Sequence, residues 1–138
     1  MAVIRHELRI ARPPDEVWPA IGDPAALPRW FPGIIDAQVD GRARIITASS
    51  GLSLPEEIVT NDPVRRIFQY RMTAPLVSDH LGTIEVADTG DGCSLVSYET
   101  RCEPDPLALV IGGACGNALR ELRRQLEGQA TPAKHEEA

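Results

Sequence analysis

The sequence has little with which to hold a metal ion. Its 138 residues include three cysteines and three histidines, and neither Cys-x-x-Cys nor His-x-x-x-His, spacings common in zinc sites, occurs. Cys93, Cys102 and Cys115 are odd in number, match no zinc signature and are typical of reduced cysteines in a cytosolic core. We therefore expect no metal, and nothing in the sequence indicates a cofactor.

Long apolar segments are missing as well. The sequence contains no run of about 18 apolar residues, the length of a membrane-spanning helix. Its first residues do not form a charged region followed by an apolar one, as a secretory leader would. We therefore expect a cytoplasmic protein without a membrane span. The net charge of −6, with the arginines scattered along the chain, argues against nucleic acid as a partner.

Recognisable catalytic motifs are absent too. The sequence has no Gly-x-Ser-x-Gly elbow, no glycine-rich phosphate loop, and no nucleophile with a histidine and an acid at an informative spacing. An enzyme built from this chain would have to work by positioning its substrate and by acid and base catalysis from a few polar side chains.

What the sequence does contain is a compact segment from Ile10 to Ile34. The pair Pro13-Pro14 ends a first strand, and acidic residues then follow where a first helical turn favours them. The sequence Gly22-Asp23-Pro24 stops this helix and can start another, and Pro32-Gly33 turns the chain into a new strand. We therefore predict two short helices between strands 1 and 2.

The chain after Gly33 alternates between apolar runs and turn residues, which is typical of antiparallel hairpins. Together with the first strand this gives seven strands, predicted at residues 2–10, 34–39, 43–50, 52–60, 66–73, 79–87 and 94–102.

A long helix is predicted at about residues 106–127. Asp105 is a good N-cap, Pro106 suits the first helical position, and Gly128 ends the helix. Its first half carries no charge and contains Gly112 and Gly113, which indicate a close approach to the sheet or a bend. These glycines and Gly116, with Ala114 and Ala118, either enlarge a hollow or allow tight packing. Residues 1–128 are predicted to form one domain, and residues 129–138 a disordered tail.

The order and spacing of several segments resemble the helix-grip fold of the START and birch-pollen-allergen (SRPBCC) superfamily, specifically its polyketide cyclase/dehydratase-like branch. The segments that carry the resemblance are PPDEVWPAIGDPAALPRWFPGI, Ser50-Gly51-Leu52 through Glu57, Asn61-Asp62-Pro63, Phe68-Gln69-Tyr70, His80 to Ile84, and Ser94 to Glu103. The resemblance implies an α+β fold in which a curved, seven-stranded antiparallel sheet wraps around the C-terminal helix. A cleft between sheet and helix would then hold a ligand.

Strand alternation predicts which side chains face that cleft. The predicted ligand-binding residues are Glu57, Val59, Phe68, Tyr70, Met72, His80, Ile84, Val96, Tyr98 and Thr100. The same alternation places Ile4, His6, Leu8, Gly82 and Cys102 on the inner face. Most of these residues are apolar or aromatic, and a minority of polar groups in an apolar hollow suits a hydrophobic ligand with some oxygen functions.

Glu57 and His80 are the candidate catalytic residues. Glu57 is predicted to point inward because it shares its parity with Val59, and in similar plant hormone receptors a glutamate at the matching point lines the polar part of the pocket. The alternative is an ion pair with Arg44 or Arg71. For His80 the alternatives are a role in ligand contact or proton transfer, and a position near the mouth of the cleft. His6 is expected to be a satisfied core residue, and both tyrosines could simply fill the core.

Three functions remain open at this point. The first is binding of a small hydrophobic molecule in the cavity, such as a lipid, a polyketide-like or an aromatic molecule. The second is a polyketide cyclase/dehydratase reaction that uses acid and base residues in the cavity. The third is a protein-interaction module. A homodimer is expected because such assemblies are common, although no surface stripe in the sequence defines its geometry.

Overall fold

The computed structural model describes residues 1–128. Its elements follow in the order β1 (Ala2–Ile10), α1 (Pro14–Gly22), a 3₁₀ turn (Pro24–Ala26), α2 (Leu27–Trp30), β2 (Ile34–Asp40), β3 (Ala43–Ala48), β4 (Ser53–Asp62), β5 (Ile67–Met72), β6 (Asp79–Asp88), β7 (Ser94–Glu103) and α3 (Asp105–Gly128). The seven strands form one antiparallel sheet in the order β1-β7-β6-β5-β4-β3-β2. The predicted fold class is confirmed, and the strand boundaries differ from the predicted ones by a few residues. The predicted tail at 129–138 lies outside the described residues.

The long helix α3 covers one side of the sheet unevenly. It packs against β1 and β7, and α2 joins it from the direction of β2. Two glycines allow this close approach, because a Cβ atom on Gly112 would lie 2.7 Å from the Cβ of Ile4, and one on Gly116 would lie 2.8 Å from the ring of His6. His6 also hydrogen-bonds to the carbonyl oxygen of Gly112 through Nε2, at 2.9 Å. The helix is therefore seated tightly on the first strand.

A glycine on β6 makes room for an aromatic ring in the middle of the sheet. A Cβ atom on Gly82 would lie 2.6 Å from the ring of Tyr70, which is the partner of Gly82 on β5. The ring thus lies across β6 and carries its hydroxyl group to Tyr98 on β7. A larger residue at position 82 would prevent this contact between strands that are not neighbours.

The predicted inward orientation of Glu57 is wrong. In the β4–β5 ladder, Glu56 lies opposite Met72 and Ile58 opposite Tyr70, and all four side chains are buried, whereas Glu57 is exposed. Because Ile58 and Val59 are adjacent and both apolar, either one could mark the inner face of β4. The prediction took Val59 as the inward-facing residue, whereas Ile58 is the buried one. A register shift between Ile58 and Thr60 follows directly and leaves Val59 only half-buried.

Candidate functional site

A cavity of about 310 Å³ lies between the first half of α3, the helix α2 and the strands β2 to β5. The lining is mostly aliphatic and aromatic, and consists of Leu27, Phe31, Ile34, Ile46, Ala48, Leu54, Glu56, Tyr70, Met72, Val110, Ile111, Ala114 and Cys115. Val110 is 68% exposed, so the cavity reaches the surface beside α3. Its volume is at the lower end of the range of small-molecule sites.

A buried ion pair stands at the polar end of this cavity. The guanidinium group of Arg44 on β3 contacts Oε1 of Glu56 twice, through Nε at 2.8 Å and through Nη2 at 2.7 Å. Both side chains are 2% exposed. Arg44 also donates from Nη1 to the carbonyl oxygen of Pro24 at 3.1 Å. Because Arg44 and Glu56 are cross-strand partners on the inner face, the β3–β4 register brings them together.

Two aromatic rings hold the arginine in place. The guanidinium carbon of Arg44 lies 5.4 Å from the ring centre of Phe68 and 5.1 Å from that of Tyr70. Such cation–π contacts are strongest where water is excluded, as it is here. Arg44 is therefore fixed by a carboxylate, a carbonyl group and two rings.

The electrostatics of Glu56 reflect two opposing influences. Burial raises the pKa of its carboxyl group above the ordinary value, and the charge and hydrogen bond of Arg44 act in the opposite direction. Since the arginine is held within 2.8 Å, the carboxyl group has a permanent counter-charge that favours the ionised form. The cavity thus contains a carboxylate with unusually little water around it.

The tyrosine hydroxyl groups form a second polar cluster behind the cavity wall. The Tyr70 and Tyr98 oxygens lie 2.5 Å apart, and Thr100 donates from Oγ1 to the Sγ atom of Cys115 at 3.6 Å. Burial raises the pKa of Tyr70, of Tyr98 and of the Cys115 thiol. These groups are therefore neutral at physiological pH, and Cys115 is not an activated nucleophile.

His80 lies inside the protein and not at the mouth of the cleft. It is 1% exposed, its Nδ1 accepts a hydrogen bond from the backbone N–H of Met72 at 2.9 Å, and burial lowers its pKa to about 4. An accepting Nδ1 places the proton of the neutral ring on Nε2. Within residues 1–128, His80 Nε2 is a buried polar atom with no hydrogen-bond partner.

The structure divides the predicted ligand-binding residues into three groups. Tyr70 and Met72 line the cavity. Phe68, Ile84 and Tyr98 line, together with Tyr70 and Arg44, a separate void of about 10 Å³, which is room for roughly one water molecule. The remaining residues are placed elsewhere: His80, Val96 and Thr100 are buried in the sheet, Val59 is half-buried, and Glu57 faces solvent.

Sequence reasoning missed Glu56 as the charged residue of the cavity and Cys115 as part of its wall. It named Ala114 among the residues that either enlarge a hollow or allow tight packing, but it missed the contributions of α2 and of Val110 and Ile111 on α3. One signal for Val110 and Ile111 was available, since a charge-free helical segment has to be covered on most sides or border a hollow. The partner of Glu56 was less visible, because Arg44 lies on another strand and only the register brings the two together.

Two further properties concern the whole described chain. No helix within residues 1–128 is both long enough and apolar enough to cross a bilayer. The same residues contain no group of three or more His, Cys, Asp or Glu side chains arranged to bind a metal ion.

Structural comparison connects this fold to solved proteins. The protein XoxI from Bacillus cereus is 26% identical with a TM-score of 0.85, and the match covers 91% of this chain and 96% of that one. The Zhui aromatase/cyclase from Streptomyces is 18% identical with a TM-score of 0.76, covering 96% and 97%. Norcoclaurine synthase from Thalictrum flavum is 20% identical with a TM-score of 0.74, covering 94% and 95%. At the identities of the last two, the likeness is one of fold.

A comparison with curated proteins finds no match. The family described as "Polyketide cyclase / dehydrase and lipid transport" matches residues 1–131, which is nearly the full length of the chain. The resemblance seen in the sequence is thereby confirmed. The chain belongs to the polyketide cyclase, dehydrase and lipid-transport family.

Proposed function

We propose that the protein binds a small, largely apolar molecule in the cavity between α3 and strands β2 to β5. The observation that carries this proposal is the cavity itself, about 310 Å³ in volume and lined by aliphatic and aromatic side chains with, among the described residues, one buried carboxylate, that of Glu56. Transfer of apolar surface from water into such a site contributes about 25 cal/mol for each Å² buried. Family membership supports the same function.

Blocking the cavity tests this proposal. Ala48 lines the cavity, whereas Ala43 lies on the same strand and is exposed. We expect Ala48→Phe to abolish binding of a neutral, solvent-sensitive naphthalene dye such as prodan, and Ala43→Phe to leave binding unchanged. Fluorescence titration measures both, and native mass spectrometry of the purified protein reports any co-purified ligand. Dye binding that is unaffected by Ala48→Phe would place the ligand elsewhere and refute the proposal.

A second candidate function is the cyclisation or dehydration of a polyketide-like substrate. The observation that favours it is Glu56, a desolvated carboxylate that borders the cavity and could remove a proton from an activated carbon. Glu56 takes the role for which Glu57 was a candidate, since Glu57 faces solvent, and His80 is absent from the cavity lining.

Turnover separates this candidate from simple binding. A poly-β-ketone substrate should be converted to a product lighter by one water molecule, and mass spectrometry detects this loss. We expect Glu56→Gln to abolish conversion and Glu57→Gln to preserve it. Because ring closure alone leaves the mass unchanged, chromatography before mass spectrometry detects a cyclised isomer, and binding of the substrate with neither an isomer nor a dehydrated product would reduce the function to ligand binding.

A further inference from the structure

The cavity offers very few polar groups to a ligand. Within the described chain, its polar lining residues are Glu56, Tyr70 and Cys115, and Glu56 is the charged one. The hydroxyl group of Tyr70 is engaged with Tyr98, and Sγ of Cys115 receives the hydrogen bond from Thr100. The carboxylate of Glu56 is consequently the strongest polar group that a bound molecule meets.

The positive partner of this carboxylate is directed away from the cavity. Arg44 is not among the cavity-lining residues. Its Nε and Nη2 atoms both contact Oε1 of Glu56, its Nη1 donates to the carbonyl oxygen of Pro24, and its planar face lies against Phe68 and Tyr70. The other oxygen of the Glu56 carboxylate, Oε2, forms no hydrogen bond with any of residues 1–128. Two lone pairs of Oε2 are thus free to accept.

We infer that Glu56 selects ligands that carry a hydrogen-bond donor, such as a phenol, an alcohol or an amine, and rejects ligands that carry a carboxylate. This inference rests on the proposed function, because it concerns the chemistry of the molecule in the same cavity. A donor placed against Oε2 forms a charge-assisted hydrogen bond in a site with little water. An anion in that place would lose its hydration and lie beside a second negative charge, with Arg44 already neutralised.

Three probes with one carbon skeleton test the inference. They are 2-naphthol, 2-methylnaphthalene and 2-naphthoate, which present a donor, an apolar group and an anion, and each is measured at neutral pH by displacement of prodan. We expect 2-naphthol to bind about tenfold more tightly than 2-methylnaphthalene, since a hydrogen bond to a charged group is worth about one order of magnitude or more. We expect 2-naphthoate to bind at least about tenfold more weakly than 2-methylnaphthalene.

Substitutions at adjacent positions provide the matched control. Glu56→Gln leaves Arg44 without its counter-charge, so the order should reverse and 2-naphthoate should become the preferred probe. Glu57→Gln removes the same charge from the outer face of the same strand and should keep the original order. If Glu56→Gln does not fold, the double substitution Arg44→Met with Glu56→Leu replaces the ion pair by apolar groups of similar size. In that variant the preference for 2-naphthol over 2-methylnaphthalene should disappear.

The outcomes distinguish the two proposals. If the three probes bind the native protein with equal affinity, or if the preference survives in Glu56→Gln or in the double variant, the inference about Glu56 is overturned while cavity binding stands. If prodan and all three probes fail to bind the native protein, the proposed function is refuted, and the inference that rests on it falls as well.

Discussion

The two sides of α3 differ in how they meet the sheet. On one side, which we call the closed half, the helix lies directly on β1 and β7, with Gly112 against Ile4 and Gly116 against His6. On the other side, the open half, Val110, Ile111 and Ala114 face β3 and β4 across the cavity. One helix therefore serves both as a core element and as a wall of the cavity.

The glycines of α3 explain this difference. Gly112 and Gly116 let the helix backbone approach Ile4 and His6 on β1. Because the sheet curves, a helix drawn towards its first strand stands away from the opposite arm, and the gap that remains is the cavity. Of the two roles open for these glycines, tight packing is the one that Gly112 and Gly116 perform directly. Gly113 does neither, since a Cβ atom there would meet open space.

Adding volume at a fully covered position and at a cavity position of α3 should have opposite consequences. Ala118 is 0% exposed, whereas Ala114, one turn earlier on the helix, borders the cavity. We expect Ala118→Leu to lower the free energy of unfolding by about 3 kcal/mol, the upper part of the usual cost of overpacking. Ala114→Leu should leave the free energy of unfolding nearly unchanged or raise it, because the added carbons enter empty apolar space. Urea denaturation measures both values.

The same pair of variants should separate in binding. Ala114→Leu removes cavity volume and should weaken binding of prodan, while any Ala118→Leu protein that remains folded should retain it. Equal losses of stability in the two variants would show that the cavity collapses in solution, and the distinction between the halves would then be wrong.

His80 provides a second test of this comparison. It lies on β6, between β7, which α3 covers, and β5, which lines the cavity. It is paired with Cys102 of the closed half, and its Nδ1 accepts from Met72 of the open half. Burial lowers its pKa from 6.5 to about 4, against the opposing influence of Asp79. Between these values the unfolded chain binds a proton that the folded protein does not, so stability falls as the pH decreases. The contribution of His80 between pH 7 and pH 5 should be about 2 kcal/mol.

Substitution by asparagine isolates this contribution. In His80→Asn, the side-chain oxygen can still accept from the N–H of Met72 but does not titrate. We expect the free energy of unfolding of the native protein to fall by about 2 kcal/mol more than that of His80→Asn between pH 7 and pH 5. Glu56 acts in the opposite direction in both proteins, because its pKa is raised, and it therefore cancels in the difference. Parallel pH profiles would mean that His80 is accessible to solvent.

The sequence was sufficient for the fold but not for the lining of the cavity. Proline pairs, turn residues and strand alternation are local signals, and they predicted seven strands, two short helices and a long final helix correctly. The cavity depends on the distance between α3 and β3, which no local pattern encodes. Glu56 shows the limit most clearly, since choosing between two adjacent glutamates required knowing that Glu56 lies opposite Met72 and beside Arg44. The pairing of β4 with β5 would have identified Glu56 as the inward-facing residue, because its partner Met72 faces the cavity.

The smallest predicted effect concerns two adjacent glycines in α3. In an exposed helix interior, replacing glycine by alanine stabilises by about 1 kcal/mol. Gly113→Ala should show this gain, because nothing lies within 4 Å of the added Cβ atom. In Gly112→Ala a clash of about 2 kcal/mol should outweigh this gain and leave the variant about 1 kcal/mol less stable than the native protein, since its Cβ atom would be 2.7 Å from the branched Cβ of Ile4.

This pair also tests where the space in the protein lies. If the helix moves away from β1 in Gly112→Ala, the shift is directed towards the cavity, so prodan binding should weaken in Gly112→Ala and remain unchanged in Gly113→Ala. Similar stability and similar dye affinity in both variants would contradict the close seating of α3 on β1. The cavity would then need a cause other than the glycines, because a helix that accepts a methyl group at either position is not held against the first strand.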